Sequence, residues 1–155
     1  MITNAFLTNR QLEIWRHLSK KTTKAEIGRH LGITRQAVHY AEEAIIPKVE
    51  NTLRHIAHAN MLEIKHIDAT KGVLLGYSPS TKNKVIVTFS AINGVQTWHY
   101  EQHDCGLCEW VDRCKKRLIE EANERDVKLS NELRGLPPSK LALHIFSHII
   151  PELIV

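Results

Sequence analysis

The first 104 residues contain no cysteine, so nothing in that stretch can be cross-linked by a disulfide or held by thiolates on a metal. No apolar run approaches the ~18 uninterrupted residues that a bilayer-spanning helix needs, which leaves no membrane partner to expect. Seven glycines and five prolines are too few for a collagenous or low-complexity chain. The opening Met1-Ile-Thr-Asn-Ala-Phe-Leu7 lacks the charged head and apolar stretch of a secretory signal, and a cytoplasmic location is the expectation. Gly-rich phosphate loops, a Ser-His-Asp order and an HExxH pair are also missing, so no catalytic residue is expected and the chain reads as a non-enzyme.

What is present is a globular composition: 155 residues, 43% apolar and 25% charged, enough for one ordinary domain or a small module joined to a larger one. The net charge of +4 is unevenly placed. Residues 1–55 hold nine Lys or Arg against five Asp or Glu, whereas the remainder holds twelve of each. A cationic excess confined to the first third favours a polyanionic partner, because Lys and Arg contacts to phosphates release counterions.

That first third is patterned as helices. Thr8 with Gln11 has the form of a capping box, opening a helix with Leu12, Ile14 or Trp15, and Leu18 at helical spacing. A second box, Thr23 with Glu26, opens a short helix that Gly32 stops, and Thr34 is placed to cap a third from Arg35 to about Ile45. Pro47 should end or kink that helix near Ile46, with a further helix reaching to about Asn60.

The period then changes. Leu62 to Ile67, Gly72 to Tyr77, Lys84 to Phe89 and Val95 to Tyr100 are short runs rich in branched and aromatic residues, as in strands. Asn93-Gly94 signals a hairpin of type I′, which needs positive φ at both residues. A helix should return from about Trp110 to Arg125, and Ser139 should cap a last one. The expectation is an α+β chain: a helix-turn-helix domain over residues 1–60, then a small antiparallel sheet with C-terminal helices over residues 61–155.

The spacing around Gly32 carries the functional reading. Gly28 lies four residues before it, where two closely crossing helices need a small residue. Ile27, Leu31, Ile33, Val38 and Ala41 fall on the buried side, leaving Arg35, Gln36, His39 and Tyr40 outward on the third helix. Those four are what a recognition helix presents to a major groove, where Arg pairs with guanine and Gln with adenine. Thr34 joins them at the helix start, and Lys20, Lys21, Lys24 and Arg29 surround the unit and can meet phosphates. The competing reading is a three-helix packing module whose charged face is merely solvated.

Leu7-Thr-Asn-Arg-Gln-Leu-Glu13, Glu26-Ile-Gly-Arg-His-Leu-Gly-Ile-Thr-Arg-Gln-Ala-Val38 and Ala44 to Glu50 together resemble the helix-turn-helix of archaeal Tfx-type regulators and, more distantly, of region four of bacterial sigma factors. The resemblance covers about the first 55 residues and implies sequence-specific binding of double-stranded DNA in transcription control.

All three cysteines, Cys105, Cys108 and Cys114, lie in one ten-residue window that leads into the fourth helical stretch. A tight, odd-numbered set is a poor disulfide framework and a reasonable metal site. The spacing is similar to part of the iron–sulfur sites of WhiB-type regulators and endonuclease III-type glycosylases, which use a fourth cysteine that this chain lacks. His103 is the nearest candidate for a fourth ligand, with Asp104 and His99 behind it. An iron–sulfur (4Fe-4S) cluster is the preferred cofactor and zinc the alternative. The whole reads as a DNA-binding regulator with a metal-bearing, redox-sensing effector domain, and the alternatives are an iron–sulfur DNA-processing enzyme or a zinc-stabilised adaptor. The apolar tail (Leu141, Leu143, Ile145, Phe146, Ile149, Ile150, Leu153 and Ile154) either packs on the sheet or mates with a second subunit, and a homodimer is expected.

Overall fold

The computed structural model describes residues 7–99 and 105–154. Three helices come first: α1 (Asn9–Ser19), α2 (Lys24–Leu31) and α3 (Arg35–Ala59). Both capping boxes form. The Thr8 hydroxyl accepts from Gln11 N at 3.1 Å and Thr8 N donates to Gln11 Oε1 at 3.0 Å, with Thr23 and Glu26 repeating the exchange at the start of α2. Gly32 closes α2 in the left-handed region at φ 67°, and Thr34 caps α3 by accepting from Ala37 N at 3.0 Å.

The expectation at Pro47 is corrected: α3 is one 25-residue helix with Pro47 inside it. The ring lies on the exposed side, while Ile45, Val49 and Leu53 on the opposite side are fully buried. Packing of that face outweighs the ~3 kcal/mol that a proline costs a helix interior.

Four strands follow as an antiparallel meander in the order β1 (Glu63–Asp68), β2 (Val73–Ser78), β3 (Asn83–Ser90), β4 (Gly94–His99). The hairpin between β3 and β4 forms, but not as type I′. Ser90 pairs with Gly94 across a three-residue loop, and Gly94 alone of the pair has positive φ, at 69°. The Ser90 hydroxyl accepts from the N–H groups of Ile92 and Asn93, so a side chain holds the loop that a second left-handed residue would otherwise shape.

Helices α4 (Val111–Glu124), α5 (Asn131–Arg134) and α6 (Pro138–Ile149) complete the chain. Ser139 does not cap α6; Pro137 occupies the cap position and Pro138 the first turn, where a missing N–H costs nothing. The sheet has a core on each face. Leu74, Val85, Val87 and Phe89 pack with α1 and α3, whereas Val73, Leu75 and Ile86 pack with Leu118, Leu141, Ile145, Phe146 and Ile149 of α4 and α6. Most of the apolar tail (Leu141, Ile145, Phe146, Ile149, Ile150 and Leu153) is thus buried within its own chain while Leu143 is exposed, and the fold is α+β with helices on both sides of one sheet. Among the described residues no helix is long and apolar enough to cross a membrane.

The two sides are tied by polar bonds as well as by the sheet. Trp15 of α1, fully buried, meets Phe89 edge-on at 4.9 Å and donates to Ala69 O at 3.3 Å. Gly72 admits it: a Cβ there would fall 2.6 Å from the indole ring. From the other side Arg125 donates to the carbonyls of Lys71, Gly72 and Phe89 and pairs with the fully buried Glu121, which accepts from Thr88.

Candidate nucleic-acid interface and cysteine cavity

The junction of α2 and α3 is set by two glycines. A Cβ on Gly28 would lie 2.6 Å from Ile33 O and 3.4 Å from Arg35 N, so the chain beyond the turn passes directly over that helix. Gly28 O in turn accepts from Ile33 N at 3.0 Å. Ile27 and Val38 are fully buried beneath this crossing, and Leu31, Ile33 and Ala41 are partly buried against the same core.

The first turns of α3 are thereby turned outward. Thr34, Arg35, Gln36, His39 and Tyr40 are all exposed, and Lys24 is half-buried. Lys24, Thr34, Arg35, Gln36 and His39 line a single open depression of about 560 Å³, with Tyr40 outside it. Gln36 Nε2 donates to Tyr40 Oη at 3.2 Å, and His39 Nε2 lies 3.1 Å from Glu43. Arg35 makes no hydrogen bond or ion pair among the described residues, so its guanidinium is unengaged.

Lys24 differs from Arg35. Its ammonium sits 2.9 Å from His39 Nδ1 and 3.2 Å from Glu42, so α2 and α3 are joined by the cation that was expected to meet a phosphate. Glu42 was not singled out from the sequence. Nor was Thr70, which borders a neighbouring depression with Lys21, Lys24, Arg35 and Glu42 and brings the β1–β2 loop beside the helix pair. Those contacts join residues far apart in the chain, and no local spacing announces them. The same holds for His17 of α1 and His30 of α2, whose rings stack at 5.5 Å. Burial lowers the His17 pKa, helped by the charges of His30 and Lys20.

The second region lies across the sheet. Cys105 to Leu107 form a short 3₁₀ turn, Cys108 N donates to Cys105 O at 3.3 Å, and Cys114 N donates to Trp110 O at 2.9 Å in the first turn of α4. This winding brings all three cysteines to the lining of one cavity of about 530 Å³, together with Gln96, Trp98, Arg117, Leu118 and Phe146. Cys105 and Cys114 are half-buried, Cys108 is exposed, and all three are free thiols. Burial raises the Cys114 pKa, the negative charges of Cys108 and Cys105 add to the rise, and Arg117 opposes it.

His103 and Asp104, expected as ligands, lie outside the described residues. His99 ends β4 opposite Val85 and is itself among the residues that line the cavity with the three cysteines. Among the described residues no group of three or more His, Cys, Asp or Glu is placed so that it could hold a metal ion. His144 and His148, one turn apart on α6, have rings 4.5 Å apart and no carboxylate or thiol beside them among the described residues.

No family model, no curated protein and no solved structure matches this chain.

Proposed function

We propose that this protein binds double-stranded DNA sequence-specifically as a transcriptional regulator, with α2 and α3 as a helix-turn-helix of the Tfx or sigma-region-four kind. One observation carries the reading: four exposed polar side chains at the start of α3 (Thr34, Arg35, Gln36 and His39) converge with Lys24 on one depression, over a glycine crossing that fixes the helix pair. With α3 in a major groove, the unengaged Arg35 reads guanine O6 and N7, and Gln36, turning from Tyr40, reads adenine N6 and N7. Lys20, Lys21 and Arg29, all exposed, meet the flanking phosphates, and Lys24 exchanges Glu42 for a phosphate oxygen. A homodimer places two such helices one duplex turn apart, which multiplies the specificity of one small reader.

Selection from a random duplex library, followed by titration of the enriched site, tests this. Each good bidentate contact contributes about 1–3 kcal/mol of discrimination, so Arg35→Ala should lose roughly 5- to 150-fold affinity for the site and relax one base position. Enrichment of no sequence, or equal binding by Arg35→Ala and the unaltered protein, sinks the proposal and favours a helix-packing adaptor.

A further inference from the structure

The sheet has two outer strands, β1 and β4, and they are built differently. β1 carries Glu63, Lys65 and Asp68, and its register with β2 shifts between Ile64 and His66. Charges and a bulge are what keep an edge strand from pairing with another chain. β4 has neither: Gly94-Val-Gln-Thr-Trp-His99 contains no Lys, Arg, Asp, Glu or Pro and pairs with β3 without a break. None of its residues is buried, whereas the neighbouring β3 is buried from Val85 to Ser90.

Which backbone groups of β4 face outward follows from the ladder. Phe89 N donates to Gly72 O at 2.8 Å, so Phe89 turns its N–H and C=O towards β2 and Thr88, the residue before it, turns its own towards β4. Thr88 stands opposite Gln96. Gln96 is therefore bonded inward, and Val95, Thr97 and His99 turn their N–H and C=O away from β3. Gln96 Nε2 donates to Val95 O at 3.2 Å, which leaves that carbonyl a second lone pair. Among the described residues no strand pairs with this row and no backbone group meets Thr97 there.

We infer that β4 is an interaction edge whose partner is β4 of a second copy, the two strands running antiparallel about a two-fold axis at Thr97 and joining two four-stranded sheets into one. A two-fold sets a strand against itself, which a strand without Lys, Arg, Asp or Glu tolerates. In this register Thr97 meets its own mate and Val95 of each copy meets His99 of the other, so the three outward-facing residues bond to the same three. Threonine pairs directly across strands are favourable. The axis stands perpendicular to the sheet and so keeps α1 to α3 of both copies on one face. Only the use of that arrangement, one duplex meeting both recognition helices, rests on the regulator reading; the pairing itself rests on the strand.

The test uses the full chain. Sedimentation from low micromolar to near-millimolar concentration should show 17.8 kDa giving way to twice that mass. Thr97→Pro removes an N–H that β3 does not use, so the variant keeps its own sheet, and the two bonds lost from the pair should weaken association roughly thirtyfold. Thr97→Lys opposes like charges at the axis and should weaken it as well. Because either variant can disturb the strand, hydrogen exchange is also followed in the unaltered protein. The amides of Val95, Thr97 and His99 should slow as concentration rises, while those of Gln96 and Trp98 stay protected throughout. A monomer at every concentration, a dimer that both variants leave intact, or equal exchange of the three amides in dilute and concentrated samples overturns the edge pairing. No DNA enters these measurements: a dimer that selects no duplex upholds the pairing and sinks the regulator reading alone, and a monomer that selects one sinks the pairing alone.

Discussion

Gly28→Ala probes the helix crossing directly. The added methyl would sit 2.6 Å from Ile33 O, about 0.7 Å inside the ~3.3 Å at which carbon and carbonyl oxygen ordinarily meet. The oxygen cannot yield freely, because it belongs to the backbone of the turn and Ile33 N is itself bonded to Gly28 O at 3.0 Å. Overpacking of this kind costs about 1–3 kcal/mol, against a helix-propensity gain of ~1 kcal/mol for alanine over glycine. The net loss of stability should therefore be on the order of 1 kcal/mol, read as a lower urea midpoint. DNA binding should fall more, by about tenfold or beyond, since the turn must open and Arg35 moves with it. Gly32→Ala is the control: its left-handed φ of 67° strains an alanine, but nothing lies within 4 Å of the new methyl. It should lose stability with little change in affinity per folded molecule. A Gly28→Ala protein that is stabilised by its propensity gain and binds DNA unchanged would refute the close crossing and the interface built on it.

Pro47→Ala should stabilise the protein by about 2 kcal/mol, the ~3 kcal/mol helix cost of proline less the ~0.4–1 kcal/mol that proline saves by restricting the unfolded chain. Guanidinium denaturation showing no gain would mean that α3 is not continuous through residue 47. Arg125→Met should cost about 3–5 kcal/mol, because it strips the buried Glu121 carboxylate of its partner and takes a donor from the carbonyls of Lys71, Gly72 and Phe89, of which Gly72 O keeps Phe89 N–H. Adding Glu121→Leu should restore part of the loss in the same denaturation assay, and a single variant within 1 kcal/mol of the parent would contradict the pairing. Two half-buried histidines should make the fold lose stability on acidification, against the opposite contribution of Glu121, whose carboxyl pKa burial raises. His17 and His144 have pKa values lowered below 6.5 by burial, so the unfolded chain binds more protons. Their contribution is complete above pH ~6.5 and is lost as pH falls through their folded values, and His17→Gln should flatten that slope of stability against pH.

The sequence announced what is local. Thr8, Thr23 and Thr34 each cap a helix because a hydroxyl reaches an N–H three residues on, an event that needs no tertiary partner. The strands are legible for a similar reason: β2 is buried on both faces and so reads as an unbroken apolar run. Pro47 misleads because its cost is local whereas the burial of Ile45, Val49 and Leu53 that overrides it is not. Asn93-Gly94 misleads in its turn type because the Ser90 hydroxyl, three residues before Asn93, holds two of the loop's N–H groups. The α5 helix, four residues long with none buried, leaves too short a pattern to see.

The sites divide along the same line. The depression at the start of α3 was readable because its lining comes from one helix start plus Lys24, whereas the Glu42 partner that holds Lys24 was not. Least legible of all is what α4 does. From sequence it is an amphipathic helix after three cysteines, yet its far end carries the polar centre of the whole fold. Glu124 Oε1 accepts from Ala91 N at 2.7 Å, Glu124 O accepts from the Ser19 hydroxyl of α1 at 3.1 Å, and Arg125 grips the Gly72 and Phe89 carbonyls beside Trp15. The helix that begins at the cysteine cavity thus ends bonded to the first helix of the chain, 105 residues away in sequence. Breaking bonds to charged groups this deeply buried is costly, although Glu124 Oε2 itself has no hydrogen-bond partner among the described residues, so α4 cannot shift by much while those bonds hold. Any displacement of its Cys114 end must be carried as bending within the helix or break the bonds at Glu121, Glu124 and Arg125, and the second course reaches α1 through the backbone on which Trp15 rests.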